Sequence, residues 1–164
     1  MDRTELVLDV IEKNPGIRFN EIMRITDIRN GTLSHYVKKL EEGNSIKLER
    51  TPRVTRLYPV GINEQEAVIC KYLTMSTQRK LIQFLLEKET ATSIEIREFI
   101  KKSPSVISVN LKELYKSKII NKRYDIPSNK FSLRNPEQIK GIMNEYYPKY
   151  INKISENTIE MLEF

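Results

Sequence analysis

Between residues 29 and 42 the chain gathers small donors and cations: Arg29, Asn30, Gly31, Thr32, Ser34, His35, Lys38 and Lys39. On a helical wheel with Leu33 at zero, Val37 and Leu40 fall within about 40° of it, forming one apolar stripe. The opposite face then carries Gly31, His35, Lys38 and Lys39, with Thr32 and Ser34 toward its edges. Short hydroxyls, an imidazole and amines are the groups that reach phosphate oxygens and base edges in a major groove. Tyr36 lies on the boundary, where packing with a wet hydroxyl is the expected role and nucleic-acid contact the minor one. After Gly43, the segments IKLERT and TRLYPV read as two strands around a tip with Pro52 and Arg53, and they add Arg50 and Arg56 to the basic set. The chemistry this stretch predicts is contact with duplex DNA.

Bond-making chemistry lacks its usual parts. The one His and one Cys, at 35 and 70, fall on different predicted elements. Gly16, Gly31, Gly43, Gly61 and Gly141 are scattered and build no phosphate loop. A zinc site would have to be assembled from carboxylates, so no metal, no cofactor and no enzymatic activity is expected. A single cysteine excludes an intrachain disulfide and suits a reducing cytoplasm. Cys70 sits among apolar residues, which predicts burial or an interface rather than a reactive thiol.

With 39% hydrophobic and 30% charged residues, the composition is that of a folded, helix-rich protein. No apolar run approaches the roughly 20 residues of a membrane span, and the first ten residues lack a signal peptide's apolar centre. A cytoplasmic, nucleoid-associated location without membrane contact is expected. The formal charge of +6 is unevenly spread. Residues 29–56 hold seven basic and three acidic side chains, and residues 101–134 hold nine and two. Residues 1–28 and 135–164 are each slightly acidic. Isolated charge runs are usually solvated faces, but two runs on the same predicted helix-hairpin unit argue against that reading.

Leu6, Val7, Val10 and Ile11 predict a first helix over 2–13, ended by Asn14-Pro15-Gly16. Asn20 is the expected N-cap of a second helix to about residue 26, with Ile22 and Ile25 on its buried face. Asp27 and Ile28 make the turn into the polar helix. Residues 63–75 read as a linking helix. The pattern then restarts. One constant offset places Ile107 on Leu33, Leu111 on Val37, Leu114 on Leu40, Ile96 on Ile22, Phe99 on Ile25 and Phe131 on Leu57. Chance coincidence of helical periods would not keep the hairpin in step as well, so an internal duplication is inferred.

In the second copy, Ser103-Pro104 is a strong helix start. Lys102, Ser103, Ser105, Ser108, Lys112 and Lys116 are its candidate contacts, with Lys122, Arg123 and Lys130 on the hairpin. Val109 stands for His35 and Glu113 for Lys39. Copy one is therefore expected to read bases, and copy two to hold phosphates. The tail, 136–164, is apolar-aromatic. It can pack on copy two or form a homodimer interface, and the sequence weights the two evenly.

The segment GTLSHYVKKLEEGNSIKLERTPRVTRLYP resembles the winged helix-turn-helix of MarR- and ArsR-like regulators, through Thr32, Leu33, Ser34, His35, Tyr36, Leu40, Gly43 and Ile46. The whole chain is similar to archaeal tandem winged-helix transcription regulators. That resemblance implies a mainly α protein with small β-hairpin wings (α+β): two tandem winged helix-turn-helix domains, 1–62 and 76–135, joined by 63–75 and followed by a C-terminal helical tail. It also implies that the third helix of each copy enters a major groove while the wings follow the backbone. Metal sensing is not implied, because the ArsR-type cysteines are absent. The sequence names no small-molecule effector. The rival expectation is a protein-interaction module of a chromosome-organisation or polymerase-associated complex, for which charge on the third helices is the discriminating feature.

Overall fold

The computed structural model describes residues 1–151, and these divide into two compact units that meet in sequence between Thr74 and Met75. Both units are mainly helical.

In the first unit, α1 (Arg3–Lys13) starts where Asp2 accepts a hydrogen bond from the Glu5 amide at 2.9 Å. It buries Val7, Val10 and Ile11, the inward stripe its spacing predicts. Gly16 then takes φ +86°, a left-handed conformation that glycine adopts without a Cβ penalty. The chain runs through β1 (Ile17–Arg18) into α2 (Phe19–Thr26), a tight turn, and α3 (Asn30–Glu42). Asp27, in the left-handed region, caps α2 by donating its amide to the Met23 carbonyl. Strands β2 (Ile46–Arg50) and β3 (Thr55–Pro59) form the hairpin, and α4 (Glu64–Leu73) closes the unit. The sheet order is β1-β3-β2, antiparallel throughout, with Leu57 opposite both Ile17 and Leu48.

The core of this unit joins α1, Ile22, Ile28, the α3 stripe of Leu33, Val37 and Leu40, Ile46 and Leu57. Three expectations differ from what is seen. Helix α2 begins at Phe19, not at Asn20, and has no side-chain cap. Ile25 is 49% exposed rather than buried; an eight-residue helix spans little more than two turns, and Ile22 is its one buried residue. Helix α4, expected as a linker, belongs to the first unit. Lys71 on it pairs with Glu49 of β2 at 3.5 Å, and Thr74 at its end accepts a hydrogen bond from the Arg56 guanidinium of β3 at 2.8 Å.

The second unit has the same element order: α5 (Ser76–Lys88), β4 (Ala91–Thr92), α6 (Ser93–Ile100), α7 (Pro104–Lys116), β5 (Ile120–Arg123) and β6 (Lys130–Leu133), followed by α8 (Pro136–Tyr146). The offset that carries Leu33 onto Ile107 also carries α2 onto α6 and α3 onto α7, with both ends matched. The ladder matches too: Leu48 opposite Leu57 becomes Lys122 opposite Phe131, and Ile17 opposite Leu57 becomes Ala91 opposite Phe131. Helix α6 carries a capping box, Thr92 and Glu95 each satisfying the other's backbone amide. Ser103 caps α7 as its sequence predicts, accepting from the Val106 amide at 3.3 Å. Phe99, like Ile25, is exposed at 53%, although its ring stacks on Phe84 at 4.4 Å.

In the tail, Ile139, Ile142 and Met143 are buried. The Arg79 guanidinium lies 4.3 Å from the centroid of the Tyr150 ring, and Gln83 donates to the Tyr150 carbonyl at 3.4 Å. These tail residues pack within the monomer. Ile154, Ile159 and Leu162, also expected to contribute, lie outside the described residues.

The turn at Gly16 is a point where the fold has little room. A Cβ there would meet Tyr58 Cε1 at 3.3 Å and the Lys71 backbone at 3.4 Å, in a conformation side chains rarely adopt. Gly16→Ala is expected to lower stability by about 1–2 kcal/mol in urea unfolding. An unchanged midpoint would contradict this account.

Candidate nucleic-acid interface

The polar face of α3 is presented by burial of the opposite one. With Leu33 fully buried and Val37 and Leu40 nearly so, Arg29, Asn30, Gly31, Thr32, Ser34, His35, Lys38 and Lys39 all come to the surface. Ser34 Oγ donates to Asn30 Oδ1 at 3.2 Å, one turn apart, a bond that engages the side-chain oxygen of Asn30 and not its amide hydrogens. No neighbouring atom lies within 4 Å of where a Gly31 side chain would start, so the helix backbone there is open to close approach. His35 and Tyr36 rings sit 5.8 Å apart, with Tyr36 half-buried.

Acidic neighbours temper the charge. Lys38 lies 4.0 Å from Glu42 one turn on. Arg50 makes a two-pronged contact to Glu41 at 2.9 and 3.1 Å, clipping β2 to the end of α3. That hydrogen bond from Arg50 holds the Glu41 carboxyl below its ordinary range. A carboxyl with a depressed folded pKa stabilises above its unfolded value, and the gain is lost as pH falls through the folded value. The clip is thus intact across neutral pH and opens only in acid. Because the pair is exposed, its main effect is geometric: Arg50 is committed to Glu41 and less available to a phosphate.

Arg56 is a correction. Expected among the contacts, it is 2% exposed and donates to the Gly16 carbonyl at 3.0 Å and to Thr74 Oγ1. It stands beside Leu57 on β3, so the two point to opposite faces of the sheet, and both faces are covered. A buried guanidinium fixes the unit and cannot touch a ligand. Arg53, by contrast, is exposed at the hairpin tip, which is closed by Thr51 and Val54 hydrogen-bonding to each other. Arg18, which sequence reasoning passed over, and Asn20, expected only as a helix cap, line a cavity of about 260 Å³ together with Arg53. Only the pairing of β1 with β3 brings them there, and no short-range signal announces it.

In the second unit, Lys102, Ser103, Ser105, Ser108, Lys112 and Lys116 are exposed on and before α7. Ser103 is occupied as the cap and lies 3.2 Å from Ser105 Oγ. Glu113 accepts from the buried Gln78 of α5. On the hairpin, Arg123 and Lys130 both approach Asp125, at 3.6 and 3.4 Å. The Ile126 amide first, and then Lys130, draw that carboxyl below its usual range. Lys122 lies 4.9 Å from the centroid of the exposed Tyr124 ring. Val106, Val109, Tyr124 and Ile126 make this face more apolar than its counterpart. Among the described residues no group of three His, Cys, Asp or Glu could hold a metal ion, and no helix is long and apolar enough to cross a membrane.

Comparison with known proteins bears first on the class of fold. The winged helix-turn-helix DNA-binding family model matches residues 1–47, from α1 to the start of β2. No curated protein matches the chain by sequence. Among solved structures, HlyU from Vibrio cholerae is similar at 19% identity over 49% of this chain and 91% of its own, with a TM-score of 0.43. The transcriptional repressor BigR from Xylella fastidiosa gives 20% identity over 49% and 81%, with a TM-score of 0.44. ZitR from Lactococcus lactis in complex with DNA gives 24% over 54% and 61%, with a TM-score of 0.38.

Replacing Arg56 with Ala should destabilise the first unit by about 2–4 kcal/mol, since two charge-assisted hydrogen bonds are lost and their acceptors stay buried. Chemical denaturation checks this. A variant as stable as wild type but impaired in nucleic-acid binding would reverse the assignment.

Proposed function

We propose that the chain is a sequence-specific double-stranded DNA-binding transcription regulator, built from two tandem winged helices and acting near the nucleoid. The observation that carries this reading is the face of α3. Eight candidate contact residues, Arg29 to Lys39, are exposed there, while the stripe opposite is buried. The match of residues 1–47 to a DNA-binding family model supports it. The repetition of element boundaries and strand register in the second unit supports a second winged helix.

In this reading α3 lies in a major groove, with Gly31, Thr32, His35 and Lys38 toward base edges and Arg29 and Lys39 toward phosphates. The hairpin tip follows the backbone and directs Arg53 to the adjacent minor groove, where narrow A·T-rich stretches favour arginine. Copy two holds phosphates through Lys102, Lys112 and Lys116. Two reading heads on one chain serve unlike half-sites. Self-association through the tail would lengthen the site further. It is tested by sedimentation of the full chain across a concentration series, where the mass of one chain throughout would exclude it.

Selection from a random duplex pool should return a split motif, and anisotropy should give a log–log salt slope of about −3 to −7. Salt-insensitive or absent binding would refute the proposal. Arg53→Ala should weaken all duplexes alike, whereas His35→Ala should change sequence preference, by about 1–3 kcal/mol at one position. Equal effects on preference would contradict that division.

The exposed Val106, Val109, Tyr124 and Ile126 favour a second reading, in which the second unit engages a protein of a chromosome-organisation or polymerase-associated complex. Polar replacement of Val109 and Ile126 that abolished partner pull-down but spared DNA binding would support it.

A further inference from the structure

The outward faces of α3 and α7 differ at their centres. Counted at about 100° per residue, Val109 falls roughly opposite the buried stripe of Ile107, Leu111 and Leu114 on α7. It is 58% exposed, with Val106 one turn earlier at 39%. These two stand where α3 has His35 and Thr32. Nothing in the fold asks for valine there. On an exposed helix face a β-branched side chain lowers helix propensity and leaves its methyls in water. A second local cost lies one turn on. The first unit pairs Lys38 with Glu42 at 4.0 Å, whereas the matching residues of the second are Lys112 and Lys116, like charges on one helix face. Both are exposed, as is Lys102 before the helix. Glu113, beside them, is held by the buried Gln78 of α5 at 3.2 Å.

A partner that relieves both costs carries rows of negative charge with an apolar group between them. We infer that α7 reads thymine: the methyls of Val109, with Val106 beside it, pack on thymine C5 methyl groups in a major groove, while Lys102, Lys112 and Lys116 hold the flanking phosphates. This rests on the proposed binding of duplex DNA and adds the base that the second unit selects. The thymine methyl is the apolar group that the major groove offers, and the other base-edge groups there are donors and acceptors. Valine set against those would strip water from a polar edge and return no hydrogen bond, so the same side chain disfavours a pair without the methyl. A stiff χ1 leaves Val109 little rotamer freedom to lose on binding. Charge complementarity separates this occupant from an apolar protein surface, which would bring nothing to the lysines. Ser105 and Ser108 are exposed alongside and can bond any base edge. The second unit's half of the site is thereby biased to A·T pairs, and for a reason unlike the imidazole and hydroxyls of α3.

The test is fluorescence anisotropy of the full chain, at one salt concentration, on the duplex that random-pool selection returns and on copies with deoxyuridine replacing thymine at single positions. Deoxyuridine keeps the pairing and the charge and lacks only the methyl. Affinity should fall about fourfold at a thymine within one half of the motif, the effect of one methyl no longer buried. Val109→Ala introduces a better helix former, and circular dichroism checks its fold. It should bind the thymine duplex about fourfold more weakly or worse and no longer tell thymine from deoxyuridine at that position. Duplex binding with no dependence on any thymine methyl would overturn the inference and leave the proposed function standing. Absence of duplex binding would overturn both. Discrimination that persists unchanged in Val109→Ala would also overturn the inference, leaving the exposed valines to a protein partner.

Discussion

The rotation of α3 about its own axis is the constraint on which the interface depends. Leu33, Val37 and Leu40 insert into a core made by α1, Ile22, Ile28 and the sheet, and that insertion leaves one face of the helix for everything else. Fully burying each such side chain contributes about 1.5–3 kcal/mol, so turning the helix by even a third of a revolution would forfeit more than any surface contact could return. The candidate contact residues on that face need no stabilising interactions of their own. They are free to be short, polar or cationic, because three apolar neighbours hold them in place. Ile107, Leu111 and Leu114 do the same for α7.

On that shared element order the two units differ in opposite ways. The first keeps its acidic residues close to its basic ones, so that Arg50 and Lys38 are steered by Glu41 and Glu42. Phe19, Met23 and Leu48 pack against its core. The second has Ser93, Arg97 and Lys122 at the matching positions and its acidic partner at the hairpin tip, where Asp125 lies near Arg123 and Lys130. A geometry suited to one surface has thereby been given two different electrostatic characters.

Much of this is legible in the sequence, and for local reasons. Helical spacing locates the buried stripes of α1, α3 and α7, and Ser103-Pro104 and Gly43 mark helix ends by rules that act within one turn. The repeated pattern is legible because both units keep the same lengths between core residues. What escapes is non-local. Arg56 alternates with Leu57 as a solvent-facing residue should, but it is held by the Gly16 carbonyl and by Thr74 just after α4, and nothing near residue 56 says so. Arg18 and Asn20 join the hairpin tip only through strand pairing. Ile25 and Phe99 obey the helical period but fall at the rim of the core. The cavity of about 620 Å³ in the second unit is the most instructive case: Lys112, Lys116 and Lys122 read as candidate DNA contacts, and only alignment shows that Ser93, Arg97 and Lys122 stand where the first unit has Phe19, Met23 and Leu48.

Two copies with the same strand register, joined in one chain, invite a particular hazard: the short first strand of one could pair with the central strand of the other. Side-chain volume opposes it. Ile17 lies opposite Leu57, while the smaller Ala91 lies opposite the larger Phe131. Exchanged partners would set Ile17 against Phe131, too much for the space, and Ala91 against Leu57, leaving a void. Both errors are costly in a close-packed interior. Complementary sizes at a single rung thus act as a sorting code that favours each strand's own sheet while the chain folds.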